Sequence, residues 1–279
     1  MTVIALTSAK GSPGVTTAAV GLALVWPKPV LLVEADVSGS SSILAGYYAG
    51  RVRHDRGLVD LAAAHREGRL AAAMREYSIA LGERGNARML PGLTSPAQAG
   101  TMTHLWEPIA AVLRGMDSTG VDVIVDAGRL GIIGSPLPLM READITLLTT
   151  RTDLPAIAAT RARAGGLRED LVAKGVGEDA LWLLLVGEGR PFPSRDAKAR
   201  IGLPVASSIE WDPTAASVIS QGLAPANMHR YSEKKFESSG FNRSIRTTAA
   251  SIEAIIRGRR DQLSPDGLLE KIRGGDHRV

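Results

Sequence analysis

The sequence contains no cysteine, which excludes disulfides and thiolate metal sites and agrees with a reducing compartment. The 5 histidines, His54, His65, His104, His229 and His277, show no ligand spacing, so no imidazole-held metal is expected. Long apolar runs are also missing. The longest early stretch without charge, Gly11 to Pro27, contains Pro13 and Pro27. It is shorter than the roughly 20 residues that span a bilayer, and no basic segment precedes it as in a secretory signal. The chain therefore reads as soluble and cytoplasmic. With no Cys and only 4 Tyr, few groups titrate between neutrality and the Lys/Arg range, so a formal net charge of +4 is enough to give a pI of 9.6. A positive surface patch is compatible with this composition, whereas a chain-wide polybasic character is not present.

The 279 residues suit one large α/β domain or two small ones, with ample room for a core. The organising stretch is Lys10-Gly11-Ser12-Pro13-Gly14-Val15-Thr16-Thr17, set between the apolar runs Val3–Leu6 and Ala18–Trp26. A strand, a glycine-bearing turn and a helix in succession aim backbone N–H groups at one point, where the helix N-terminus adds partial positive charge. Gly11 and Gly14 leave room for phosphate, and the Thr16 hydroxyl is placed to reach Mg²⁺. One residue departs from the usual phosphate loop, GxxxxGK[ST]: Val15 stands where the lysine belongs. Lys10 is at the front of the loop instead. A plain strand-to-helix turn is the competing reading.

Two further strands end in acids. Residues 29–33 form a buried run ending in Glu34-Ala35-Asp36, and residues 121–126 form the strongest strand pattern in the chain, ending in Asp126. Carboxylates at the carboxyl edge beside a phosphate loop hold Mg²⁺ or orient water, the second in the Walker B manner. Loop or helix-capping acids are the alternative. The small residues 37–42 are expected to form a mobile switch segment. Helices are predicted over 15–25, 58–70 and 101–116, and a short strand ending in a turn over 87–92.

These pieces, in this order, resemble the ParA/MinD family of deviant Walker A ATPases. The family loop KGGxGK[ST][ST] puts its leading lysine on Lys10, and LLVEADVSG, Leu31 to Gly39, is similar to the family's LLVDxDPQG. Residues 143–149, 183–186, 203–205 and 211–213 resemble its later strands and its "ipxDp" stretch, so the likeness runs over about 1–258. It implies an α/β fold, a mostly parallel twisted sheet with helices on both faces. It also implies ATP and Mg²⁺ as cofactors, Gly11 to Thr17 (Ser12, Pro13 and Val15 included) as the nucleotide loop, and Thr16, Asp36 and Asp126 at the metal. Lys10 and Asp36 take the catalytic roles, with Lys10 reaching across a homodimer. The departures are Val15 for the second loop lysine, Glu34 for a family Asp, and Gly187 for an Asn that helps read adenine.

Toward the carboxyl end, Asp212 caps a helix with Pro213 at its first position, and Ser244 to Arg257 forms an amphipathic helix. Residues 228–246 hold five Lys/Arg against two Glu; Lys234, Lys235, Arg243 and Arg246 are candidates for non-specific DNA contact, against a solvated basic face. Residues 259–279 are expected to form a flexible tail with no stable membrane anchor. The expected function is a nucleotide-dependent dimerising switch that positions a cargo, in DNA partition or protein localisation, with weak or absent ATP hydrolysis and a ParB-like or pilus/secretion partner. The alternatives are a non-hydrolysing TadZ-like scaffold for pilus or secretion machinery, and an ATP-independent DNA-binding module.

Overall fold

The computed structural model describes residues 1–11, 13–175, 177–222 and 233–263. Eight strands run in chain order: β1 Val3–Ser8, β2 Val30–Glu34, β3 Ile79–Leu81, β4 Ala87–Leu90, β5 Asp122–Arg129, β6 Ile145–Arg151, β7 Leu181–Val186 and β8 Val205–Ile209. Twelve helices are interspersed among the described residues. The first six are α1 Val15–Val25, α2 Ser42–Ala45, α3 Leu61–Arg66, α4 Leu70–Glu76, α5 Ala99–Met102 and α6 Trp106–Gly115. The rest are α7 Leu137–Arg141, α8 Leu154–Lys174, α9 Ser194–Ile201, α10 Pro213–Ser220, α11 Glu233–Glu237 and α12 Gly240–Leu263.

The strands form one sheet in the order β3-β4-β2-β5-β1-β6-β7-β8, parallel throughout except for β3, which runs antiparallel to β4 at the edge. Every residue of β1 is buried, as a central parallel strand covered on both faces requires. Its side chains alternate between two cores. Val3 and Ala5 face the core built with α3 to α9, while Ile4 and Leu6 face the core built with α1, α10 and α12. Each fully buried aliphatic side chain contributes on the order of 1.5–3 kcal/mol. The all-round apolar helix α1 is therefore held by its packing and not by a cap. Because β1 lies between β5 and β6, the chain leaves it toward β2 on one side and crosses from β5 to β6 on the other. The carboxyl end of β1 is thus the switch point where such sheets open a crevice.

Several elements differ from expectation. The predicted helix over 58–70 is a 3₁₀ turn at Leu58–Asp60 followed by α3 and α4, split at Gly68, whose φ is +71°. The helix over 101–116 is broken between α5 and α6. Trp106 seats the second piece by donating from its indole N–H to the Gly134 carbonyl at 2.6 Å. The last helix extends beyond Ser244–Arg257 at both ends, and Arg260 near its end pairs with Asp144 at 3.0 Å. Most consequential, β5 does not stop at Asp126 but continues to Arg129. Ser12, residues 223–232 with the start of the basic stretch, and 264–279 of the expected tail lie outside the described residues. No helix among the described residues is long and apolar enough to cross a membrane.

Candidate functional site

Gly14 takes φ +97°, a left-handed conformation open to glycine, and turns the loop into α1. The helix begins without a side-chain cap and without an acid in its first turn. Its leading N–H groups are therefore left for another acceptor. Beside them opens a cleft of about 480 Å³, lined by Gly11 and residues 13–17 of the loop, by Asp36, Ser38 and Ser42 after β2, and by Gly128, Arg129 and Ile132 at and after the end of β5. Val15 is 7% exposed and packs into the core beneath α1 while touching this cleft, which leaves the cleft open.

Two aspartates of β5 on the same face behave differently. Asp122 at the amino edge is fully engaged: it accepts from the Thr2 N–H at 2.7 Å and from the Trp26 indole at 2.9 Å, and Lys28 lies 3.6 Å away. Asp126 at the carboxyl edge is wholly buried. Its Oδ1 accepts from the Gly128 N–H at 3.1 Å, while its Oδ2 has no hydrogen-bond partner among the described residues. Burial, reinforced by the charges of Asp36 and Glu34, pushes the Asp126 carboxyl up to about 7, opposed by the neighbouring Thr16 side chain and the Gly128 N–H. A buried carboxylate oxygen without a donor is costly. A divalent cation in the cleft would remove that cost.

Among the described residues no three His, Asp or Glu side chains gather into a metal cage. Mg²⁺ needs no such cage: it is usually held by one or two carboxylates, water and substrate phosphates. Thr16, Asp36 and Asp126 are brought together here. Asp36 is half-buried, oriented by the Ser38 N–H at 2.8 Å, and packed on Gly128.

The remaining predicted site residues are distributed as follows. Gly11, Pro13, Gly14, Val15 and Thr17 line the cleft, but Lys10 is exposed and borders a smaller cavity of about 120 Å³ with Thr149, Thr150, Arg151 and Asp153. Glu34 has a structural role. Its buried carboxylate accepts from the Ile43 and Gly92 N–H groups, each at 3.0 Å, and from the hydroxyls of Ser41 and Ser42. Burial pushes its pKa up, and those four bonds oppose the shift. The segment 37–42, expected to be a free switch, is thus tied at its far end to β2 and β4. Lys234, Lys235, Arg243 and Arg246 are exposed along α11 and α12, but Glu233 and Glu237 are interleaved among them.

Sequence reasoning missed Arg129 and a neighbouring second cleft. That second cleft, about 490 Å³, runs from Pro13, Gly14 and Thr17 to Trp211, Asp212 and Pro213. Trp211 stacks under the Arg151 guanidinium at 4.5 Å. A Cβ on Gly187 would lie 3.2 Å from Trp211, so the tryptophan occupies the space that a side chain at 187 would need. Asp212 does cap α10, accepting from the Ala215 N–H at 2.9 Å.

No protein-family model matches the chain, and no curated protein matches it by sequence. Solved structures do. The septum site-determining protein MinD from Pyrococcus horikoshii OT3, complexed with Mg-ADP, aligns over 90% of this chain and 95% of its own, with a TM-score of 0.66 and 17% identity. The ParA family ATPase from Chlorobium tepidum TLS covers 89% of this chain and 98% of its own, with a TM-score of 0.64 and 17% identity. A Cyanothece McdA–ATP complex covers 91% and 96%, with a TM-score of 0.65 and 15% identity. The class defined here is the ParA/MinD-type P-loop fold, and the chain spans nearly the whole of it.

Proposed function

We propose that this chain is a ParA/MinD family member that takes Mg·ATP at the carboxyl end of β1 and uses nucleotide to control pairing with a second copy, so positioning a cargo. The observation that carries the reading is the unpartnered, buried Asp126 Oδ2 beside an uncapped helix N-terminus. Gly11 to Thr17 would cradle the phosphates. Thr16, Asp36 and Asp126 would hold Mg²⁺, which supplies charge neutralisation between the phosphates. The second cleft, with Trp211, takes the nucleoside, and Lys10, exposed at the front of the loop, is available to a partner subunit. That the similar folds were solved with Mg-ADP and with ATP supports the choice of ligand. Light scattering of the purified protein without nucleotide, with Mg·ADP and with Mg·ATP tests the switch. A doubling of mass with Mg·ATP is expected, and a mass indifferent to nucleotide contradicts it.

A second reading is favoured by Val15. The inner position of the loop carries a packed hydrocarbon where the usual lysine would counter developing phosphate charge. On this reading the protein holds nucleotide without turning it over, as a scaffold for pilus or secretion machinery. Phosphate release under single-turnover conditions separates the two: a stable bound triphosphate supports the scaffold, and slow conversion to ADP supports the switch.

A further inference from the structure

The geometry points to Arg129 as the residue that supplies the phosphate-binding cation missing at Val15, delivered from β5 and not from the loop. This rests on the reading of the cleft as a nucleotide site. Among the described residues lining the cleft, Arg129 is the one cation. Its Nη1 lies 4.0 Å from where a Cβ on Gly11 would be, so the guanidinium sits over the front of the loop. It is exposed, and among the described residues it forms neither an ion pair nor a side-chain hydrogen bond. A planar guanidinium with five donors suits phosphate oxygens in a bidentate contact.

How Arg129 gets there follows from the strand pairing. β1 and β5 are in register from Val3↔Val123 to Leu6↔Asp126, and then Ser8 pairs with Arg129. Two steps along β1 thus match three along β5, which places an extra residue in β5. Gly128, at φ +59°, absorbs the irregularity, and its carbonyl accepts from the Thr7 hydroxyl at 3.1 Å. Bulges of this kind occur beside active sites and re-aim the following side chain. Here the bulge keeps Asp126 against Thr16 and carries Arg129 over the cleft. Lys10 borders a different cavity and is not among the residues lining this cleft.

The test is calorimetric titration with Mg·ATP of wild type, Arg129→Ala, Arg129→Lys, and the double variant Val15→Lys with Arg129→Ala. Arg129→Ala is expected to weaken binding by roughly ten- to a hundredfold, the range of one hydrogen bond to a charged group. Its thermal unfolding without ligand should be unchanged, because the side chain is exposed and unpaired. Arg129→Lys should retain part of the affinity, and the loop lysine of the double variant should restore much of what Arg129→Ala loses. A purely structural role for Arg129 would not yield to that rescue. If wild type binds Mg·ATP and Arg129→Ala binds it equally well, or if neither the lysine at 129 nor the lysine at 15 recovers a loss, the assignment to Arg129 is overturned while the nucleotide site stands. Absence of binding by wild type overturns the nucleotide site and this inference with it.

Discussion

A methyl group placed on Gly128 would lie 2.3 Å from the Asp36 carboxyl carbon. The acid after β2 and the bulge of β5 are thus in direct contact, and the first is oriented by the second. Gly128 also holds φ +59°, which an alanine adopts only under strain. Gly128→Ala should therefore cost roughly 1–3 kcal/mol of stability. It should also displace Asp36 and Arg129 together. Urea unfolding measures the first effect. For the second, Mg·ATP affinity should fall more than in Asp36→Asn; an affinity equal to wild type would show that the contact does not orient the site.

Asp126 gives a pH dependence of defined sign. Its pKa rises from 3.8 unfolded to about 7 folded. The group's contribution to stability is therefore fully present below about 4, declines as the unfolded chain ionises first, and is lost once pH passes the folded value near 7. The slope in that window is about 1.4 kcal/mol per pH unit at most. In the ligand-free protein, Asp126→Asn should remove this decline, so that the variant gains on wild type as pH rises from about 4 to about 7 in urea unfolding. With Mg·ATP the order reverses, because the metal needs the ionised carboxylate. Wild type should be stabilised by ligand and the variant should not.

Glu34→Gln tests the latch on the segment after Asp36. The amide can accept at one atom only, and its NH₂ would face N–H or hydroxyl donors. A loss of roughly 1–3 kcal/mol is expected. Faster amide exchange at Ile43 and Leu44 should accompany it, with β1 unaffected.

Trp211→Ala probes the second cleft. The half-buried stacking with Arg151 contributes modestly, on the order of 0.5–2 kcal/mol. Global stability should thus change slightly. Binding of ATP and ADP should weaken, while inorganic tripolyphosphate, which has no base to stack, should bind as before.

Much of this site was legible in the sequence, and for a physical reason. β1 and β2 carry unbroken apolar runs and β5 an apolar core between Asp122 and Asp126, each leading to a glycine turn or an acid, so both the strands and their functional edges announce themselves locally. Arg129 was not legible because its position depends on a bulge set by pairing with β1, more than a hundred residues away in the chain. Ala127-Gly128 reads locally as a turn that ends the strand. Glu34 reads only as a departure from a family Asp until its four donors are seen, three of them from residues 41–43 and one from Gly92. Helix α8, capped by Asp153 through the Ala156 N–H at 2.9 Å, escaped notice because Arg161, Arg163, Arg168 and the pair Gly165-Gly166 blur its apolar stripe. The three-residue edge strand β3 is too short to carry a pattern.

On the proposed function, the cleft lined by Gly11, residues 13–17 and Asp36 holds a nucleotide through Mg²⁺, with Asp126 buried beneath it. Calorimetric titration of wild type and Asp126→Asn with ATP, in the presence of Mg²⁺ and again in excess EDTA, tests it most directly. One site per chain that requires both Mg²⁺ and Asp126 is the predicted result. No heat and no thermal stabilisation at millimolar Mg·ATP, or binding indifferent to EDTA and to the substitution, would contradict it.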